Sequence, residues 1–435
     1  MPLSSPASRS KSPNKPPRRG RFWFDILIRM NKKKLFLWCL YDFANSFIFI
    51  NFLLYFSQWL VIDGGLSDFW YNATFAIATV LLLFSAPLLA AFTDKYGGRK
   101  YFLNLSTFGT AFFYAAAVVV AYFWASHIIL ATIFFLLGQY FYQLCFVFYN
   151  PLIEEVADEK HRARASGLGE FSNGLGQVLG IVSTIGLSGS RLAPLVVAII
   201  LFIVFASPMM IWFRDPKVRT AKLTVSKLTV EGKLFVRKMI LFFSVSLATP
   251  ILLAFFFFND ALITISNNYS IYMQRVFDVP DATKSIILIL VLSMSAIGAI
   301  IFGWIGDKIG NLKTLKIILF GWIILLPLLA ISQTFIQFAI CSVIVGMLIG
   351  SVWTVTRAHL SNVLDKDNFG YGFSFYSLME RFATFIGPLS WGGIILVLGN
   401  APNSYRIAAA SMTVFIVIGL IILLKWKREK LNSPH

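Results

Sequence analysis

Long, nearly uninterrupted apolar runs alternate with short polar stretches along this chain. A bilayer-crossing helix needs about 20 such residues. Twelve windows qualify: residues 35–61, 71–92, 101–124, 128–150, 165–187, 192–213, 240–272, 284–305, 314–332, 335–356, 371–398 and 405–425. The runs are continuous rather than alternating and far exceed the roughly 10 residues of a membrane β-strand. The pattern therefore predicts an all-α membrane protein with twelve transmembrane helices.

The polar punctuation organises these spans. The longest stretch between them, residues 214–238, divides them six and six. The expected domains are a basic tail (1–34), a first bundle (35–213), a linker (214–238), a second bundle (239–425) and a short tail (426–435). The Ser-, Pro- and base-rich segment "MPLSSPASRSKSPNKPPRRGR" is expected to be disordered. Residues 22–30 read equally as an interfacial helix or a solvated tail. A repeat supports the division. "DKYGGRK" (94–100) follows the second span, and "GWIGDKIGNLK" (303–313) follows the eighth. Both hold Asp-Lys-x-Gly and then a base. Gly97 and Gly310 suit a tight turn. Asp94, Arg99, Lys100, Asp307 and Lys308 either gate a movement or anchor the loops at lipid headgroups.

Charge settles which face is which. The chain is 57% hydrophobic and 13% charged, against about 25% charged in soluble domains. A net charge of +18 invites a nucleic-acid reading, but 33 of the 38 Lys and Arg fall on one side of the spans. That asymmetry is the positive-inside pattern, so both termini are expected in the cytoplasm and no nucleic-acid partner is expected. Cys39, Cys145 and Cys341 all lie in spans, and His127, His161, His359 and His435 lack metal-ligand spacing. No phosphate-binding Gly-rich loop, HExxH or GxSxG occurs. Neither enzyme chemistry, a metal nor a cofactor is expected.

Five ionisable residues sit inside the apolar runs: Asp42, Glu170, Asp260, Glu380 and Arg381. An ionised group at the bilayer centre costs about 2.5–3.5 kcal/mol or more, so each should face a wet cavity or a partner. Each acid heads a polar stripe at helical spacing. Asp42 shares a face with Asn45 and Ser46, Glu170 with Asn173 and Gln177, Asp260 with Thr264 and Asn267, and Glu380 with Tyr376 and Thr384. Asp42 and Asp260 are counterparts on spans 1 and 7, and Glu170 and Glu380 on spans 5 and 11. Asp260 is the leading candidate for a proton-coupling carboxylate and Asp42 the second, because opening a cavity to water changes a buried acid's protonation. Tyr142 and Gln143 on span 4 offer an aromatic and polar wall, for the substrate or for the core. Arg357 either receives a carboxylate or anchors at the interface. The glycines of residues 166–180 and 387–393 allow close helix approach.

The paired loops resemble motif A of the major facilitator superfamily of secondary transporters. Gly303 keeps a glycine of that motif, whereas the first copy has Ala90. "WCLYDFANS" (38–46), "FYNPLIEEVA" (148–157), "FFND" (257–260) and "SFYSLMERFATFIGPL" (374–389) resemble the vacuole-effluxer-like branch, with its fungal vacuolar amino-acid effluxers and bacterial relatives. The resemblance implies two pseudo-symmetric six-helix bundles rocking about a central cavity. It also implies solute export, with amino acids or related metabolites as the substrate class; proton coupling, a monomer and a prokaryotic cell membrane are the further expectations. Asp42, Asp260 and Arg381 match the branch, while Glu170 and Glu380 stand where it has uncharged residues. The added acids favour a cationic substrate, supply a proton site or pair with a base. Export of cationic drugs and a non-transporting sensor or lipid-handling role remain the alternatives.

Overall fold

The computed structural model describes residues 31–158, 162–215, 220, 224–364 and 369–432. The tail expected to be disordered (1–21) and residues 22–30, read equally as an interfacial helix or a solvated tail, lie outside them. The first half comprises α1 (Lys32–Asp63), α2 (Asp68–Tyr96), α3 (Arg99–Phe123), α4 (Ile128–Val156), α5 (Arg162–Thr184) and α6 (Ala193–Trp212). A connecting helix α7 (Val225–Val245) follows. The second half comprises α8 (Thr249–Phe277), α9 (Asp281–Ile309), α10 (Asn311–Ile331), α11 (Phe335–Val363), α12 (Phe369–Phe382), α13 (Ile386–Leu398), α14 (Pro402–Ser411) and α15 (Thr413–Asn432).

Among the described residues, 11 segments are long and apolar enough to cross a membrane. The expected fifth span is present as α5, but its glycines together with Glu170, Asn173 and Gln177 keep it out of that set. The structure moves the start of the seventh span. Residues 240–245 end the connecting helix, Ser246–Ala248 turn the chain, and α8 begins at Thr249 with Pro250 in its first turn. Pro at that position has no amide to lose and arrives with a helical φ. Span 11 is two helices, α12 and α13, interrupted at 383–385. Span 12 likewise combines α14 and α15.

The helices end where the sequence lets them. Ser67 caps α2, and Thr334 with Gln337 forms a capping box on α11. Gly97 and Gly310, at φ 73° and 93°, make the tight turns of the paired loops. A side chain there would be strained.

The packing repeats between halves. α1 lies against α5 and α6, and its counterpart α8 lies against α12, α13 and α15. The halves touch along α2 with α13 and along α5 with α9, two pairings that a pseudo-twofold axis exchanges. Small residues permit these approaches. A Cβ on Gly176 would stand 2.5 Å from the Phe43 carbonyl oxygen, and one on Gly392 would stand 2.8 Å from Phe69 Cα.

At the end of the bundle away from the basic loops, polar bonds seal the halves together. Arg191 donates to Asp63 (2.6 Å) in its own half and to Asp281 (2.9 Å) in the other. Lys284, wholly buried, donates to Gln58 across the interface (2.6 Å), to Asp281 (2.6 Å) and to Gln274. Asn72 and Asn268 exchange amide hydrogen bonds at 3.0 and 2.8 Å. Tyr405 donates to Asp68 at 2.7 Å, and the Ser57 and Ser270 hydroxyls meet at 3.0 Å. Breaking one member of a buried charge pair costs about 3 kcal/mol or more, because the partner is left unpaired. A Ser270→Cys thiol is therefore expected to resist a membrane-impermeant maleimide added from this face. Lys284→Met is expected to raise its labelling rate about tenfold or more. Equal rates in the two backgrounds would show that the lysine does not hold the seal.

Candidate functional site: a charged cluster between the halves

The site begins on α1. Trp38 and Tyr149 stack at 4.7 Å between centroids. Their polar groups bond reciprocally: Trp38 Nε1 donates to the Tyr149 carbonyl (3.3 Å), and the Tyr149 hydroxyl donates to the Trp38 carbonyl (2.8 Å). This pair locks α1 to α4 one turn from Asp42. The Asp42 carboxylate is buried and accepts a hydrogen bond from Asn173 of α5 at 3.1 Å. Gln177 donates to the Asn173 side-chain oxygen at 2.6 Å, orienting that amide toward Asp42. The stripes expected on spans 1 and 5 therefore face each other. Gly169 allows it, since a Cβ there would run into Trp38 and come within 3.4 Å of Asp42 Oδ2. Asn45, one turn on, is fully buried with neither amide atom hydrogen-bonded.

The second half supplies the bases. Arg357 of α11 donates to Glu170 of α5 at 2.6 Å, an ion pair across the interface. Its other nitrogen lies 3.9 Å from Glu380 of α12, and its guanidinium sits 5.6 Å from the Tyr376 ring centre. Arg381 stands 3.8 Å from Glu380 and rests over the Phe146 ring of α4 at 4.1 Å. Arg381 Nε is buried without a hydrogen bond. Two acids and two bases thus converge from both halves. The Glu170 side chain is 51% exposed and that of Arg357 25%, so this ion pair is partly open to solvent. It lies on the basic-loop side of the sealed end.

Tyr142 is buried and stacked on Phe49 at 5.6 Å, with Gln143 buried next to it. Asp260 is elsewhere. It is completely buried, and its Oδ2 accepts the backbone N–H of Gly387 at 2.7 Å, at the start of α13. The structure thus gives the leading coupling candidate a backbone partner that spacing alone did not foresee.

The paired loops differ from each other. Arg99 binds Asp94 (2.5 Å) and Glu154 (3.3 Å), and the Lys100 amide donates to Asp215 at 3.2 Å. Lys95 of the same loop pairs with Glu231 of α7 at 2.5 Å. In the second loop Lys308 lies over the Trp304 ring at 3.4 Å, and among the described residues Asp307 is in none of the ion pairs. The first loop is engaged and the second is not.

Sequence reasoning missed five contributors. Phe146 carries Arg381. Asn259 takes a hydrogen bond from Trp353 (2.9 Å) and donates to the Glu380 carbonyl (3.4 Å). Arg191, Asp281 and Lys284 build the far seal. Their signal was present, because only four bases lie on that face.

The Arg357 pair is half-exposed, and such pairs are worth roughly 0–1 kcal/mol. Arg357→Gln is therefore expected to lower the unfolding midpoint of the purified protein by only about 2–4 °C. It should nevertheless cut transport in proteoliposomes more than about tenfold, since Glu170 and Glu380 lose a shared base. A large stability loss with normal transport would make the pair structural.

The major facilitator superfamily model matches residues 35–293 and 251–435. An uncharacterised MFS-type transporter of Bacillus subtilis, YxiO, is 24% identical over 420 residues, covering 89% of this chain and 93% of that protein. Among solved structures, a bacterial homologue of the human lysosomal transporter Spinster, inward-facing and unoccupied, aligns with TM-score 0.67 and 15% identity. That alignment covers 97% of this chain and all of the other. The nucleoside transporter NupG aligns with TM-score 0.66 and 14% identity, over 92% of this chain and 100% of its own. Eleven apolar crossing segments among the described residues, two halves meeting at a charged cluster and the family match agree: this chain is a multi-pass membrane transporter of the major facilitator superfamily.

Proposed function

We propose that this transporter moves small zwitterionic solutes, amino acids or related metabolites, by proton-coupled export. The observation that carries the reading is the convergence of Glu170, Arg357, Glu380 and Arg381 from both halves, with Arg381 Nε left without a hydrogen bond. A solute carboxylate fits a guanidinium that is short of acceptors. A solute ammonium group fits Asp42 or Glu170. A purely cationic drug would meet two guanidinium groups, so the amphoteric cluster favours the zwitterion. The resemblance to the vacuole-effluxer-like branch supports the same substrate class.

Asp42, rather than the sequence's leading candidate Asp260, is the carboxylate we assign to proton coupling, because Asp260 is engaged as the acceptor of the Gly387 amide. It is buried on α1, held by one neutral amide, and near the acid–base cluster. Protonation removes the cost of burying its charge when the cavity is dry, and water stabilises the anion when the cavity opens. Binding and release of a proton then follow the conformational cycle. The basic loops and both termini face the cytoplasm of a prokaryotic cell, in line with the positive-inside pattern, and the sealed end faces outward. The transporter works as a monomer with the bilayer and its solute as partners.

Proteoliposomes loaded with a radiolabelled L-amino-acid mixture test this reading. An imposed proton gradient should drive transport in the parent protein. Asp42→Asn should keep downhill exchange and lose the response to the gradient. No amino-acid flux at any pH from well-folded protein would remove the substrate class. A full gradient response in Asp42→Asn would remove the assignment of Asp42.

A further inference from the structure

Span 11 breaks at 383–385, just before Pro388; Pro87, Pro208 and Pro327 lie inside unbroken helices, so proline favours this break without dictating it. Pro388 has no amide hydrogen, and in a continuous helix its ring would collide with the carbonyl four residues earlier, at Thr384. The chain leaves helical geometry there and restarts at Ile386. The new N-terminus exposes unsatisfied backbone amides inside the protein. Asp260 of α8 meets this need, its Oδ2 accepting the Gly387 N–H at 2.7 Å. A carboxylate is well placed at a helix N-terminus, whose partial positive charge offsets the cost of burying it. The approach depends on Gly387. A Cβ there would overlap Thr264 Oγ1 and come within 3.0 Å of both the Asp260 carbonyl and its Oδ1.

The break also separates two duties. On one side, α12 ends with Glu380 and Arg381, which belong to the charged cluster. On the other, α13 packs on α2 of the first half through Gly392 and belongs to the sealed end. Thr384, in the break itself, bonds to Thr79 of α2. The interruption is therefore the place where the charged cluster joins the inter-half contact.

We propose that residues 383–385 form a hinge in span 11, and that Asp260, by capping α13, is the positioning residue that sets where Glu380 and Arg381 stand relative to α2. The proposal rests on the transport reading for its consequence, but its geometry can be tested without any solute. The cap needs an acceptor at Asp260 and does not need a titrating acid. Asn caps a helix about as well as Asp, whereas Ala does not.

The test uses Thr79→Cys with Thr384→Cys, in full-length protein whose three native cysteines are replaced by serine. The parent pair should cross-link readily under copper–phenanthroline, because its hydroxyls are in direct contact. Adding Asp260→Asn should leave the cross-linking rate within about twofold of the parent, and Asp260→Ala should slow it about tenfold. Gly387→Ala, which keeps the carboxylate but displaces the turn, should slow it similarly and covers the case of an Asp260→Ala protein that does not fold. In proteoliposomes with the amino-acid mixture, Asp260→Asn should keep the parental KM and pH profile, while Asp260→Ala raises KM. Parental cross-linking in Asp260→Ala or in Gly387→Ala would overturn the proposal, as would equal slowing by Asn and Ala. A lost pH dependence in Asp260→Asn would also overturn it, by making Asp260 a proton carrier. Absence of amino-acid flux with the cross-linking pattern intact would sink the substrate reading and leave the hinge standing.

Discussion

A charge inside a bilayer must be hydrated, neutralised or paired, and this chain places several of those partners across the boundary between two six-helix halves. Glu170 and Arg357 come from opposite halves, as do Lys284 and Gln58, Arg191 and Asp281, and Arg381 and the Phe146 ring. The bases also have an acid in their own half, so the cross-boundary partner adds to a pairing that each half has begun. The polar groups therefore do two things at once. They hold the halves in register, and they make the register dependent on which face is wet.

The two ends of the interface are built differently. The sealed end is dense with short polar bonds around a wholly buried lysine. The basic-loop end is held by a half-exposed ion pair and by a connecting helix that packs on α2 and carries Phe242 against Phe375 of α12. Buried bonds are costly to break and exposed pairs are nearly free. The difference makes the sealed end the harder of the two to part. It also means that parting it requires compensation, which a bound solute and a proton at Asp42 would supply.

Much of this architecture was legible in the sequence because membrane helices are local. Twenty apolar residues declare a span without reference to anything else, and the duplicated Asp-Lys-x-Gly loops declare the two halves. The stripes led by Asp42 and Glu170 were also readable, and the structure sets them face to face through Asn173. What was not readable depends on pairing between distant spans. Nothing in span spacing places Arg357 on Glu170, or Asp260 on an amide of α13. Pro388 held a local clue to the broken span, since proline favours a kink or break, although Pro87, Pro208 and Pro327 lie inside unbroken helices. The start of span 7 was misplaced for the opposite reason. The connecting helix ends in apolar residues that blend into the next span until the turn at Ser246–Ala248.

The central claim is that the seal opens as a unit during transport. Spin labels at Trp124 and Ile336, exposed residues at the sealed end in opposite halves, measure this directly as a distance distribution in proteoliposomes. Without solute, the account expects a single short population. With the amino-acid mixture and an imposed proton gradient, it expects a second, longer population to grow as the first declines. One unchanged distance under all conditions, in protein that still transports, would contradict it.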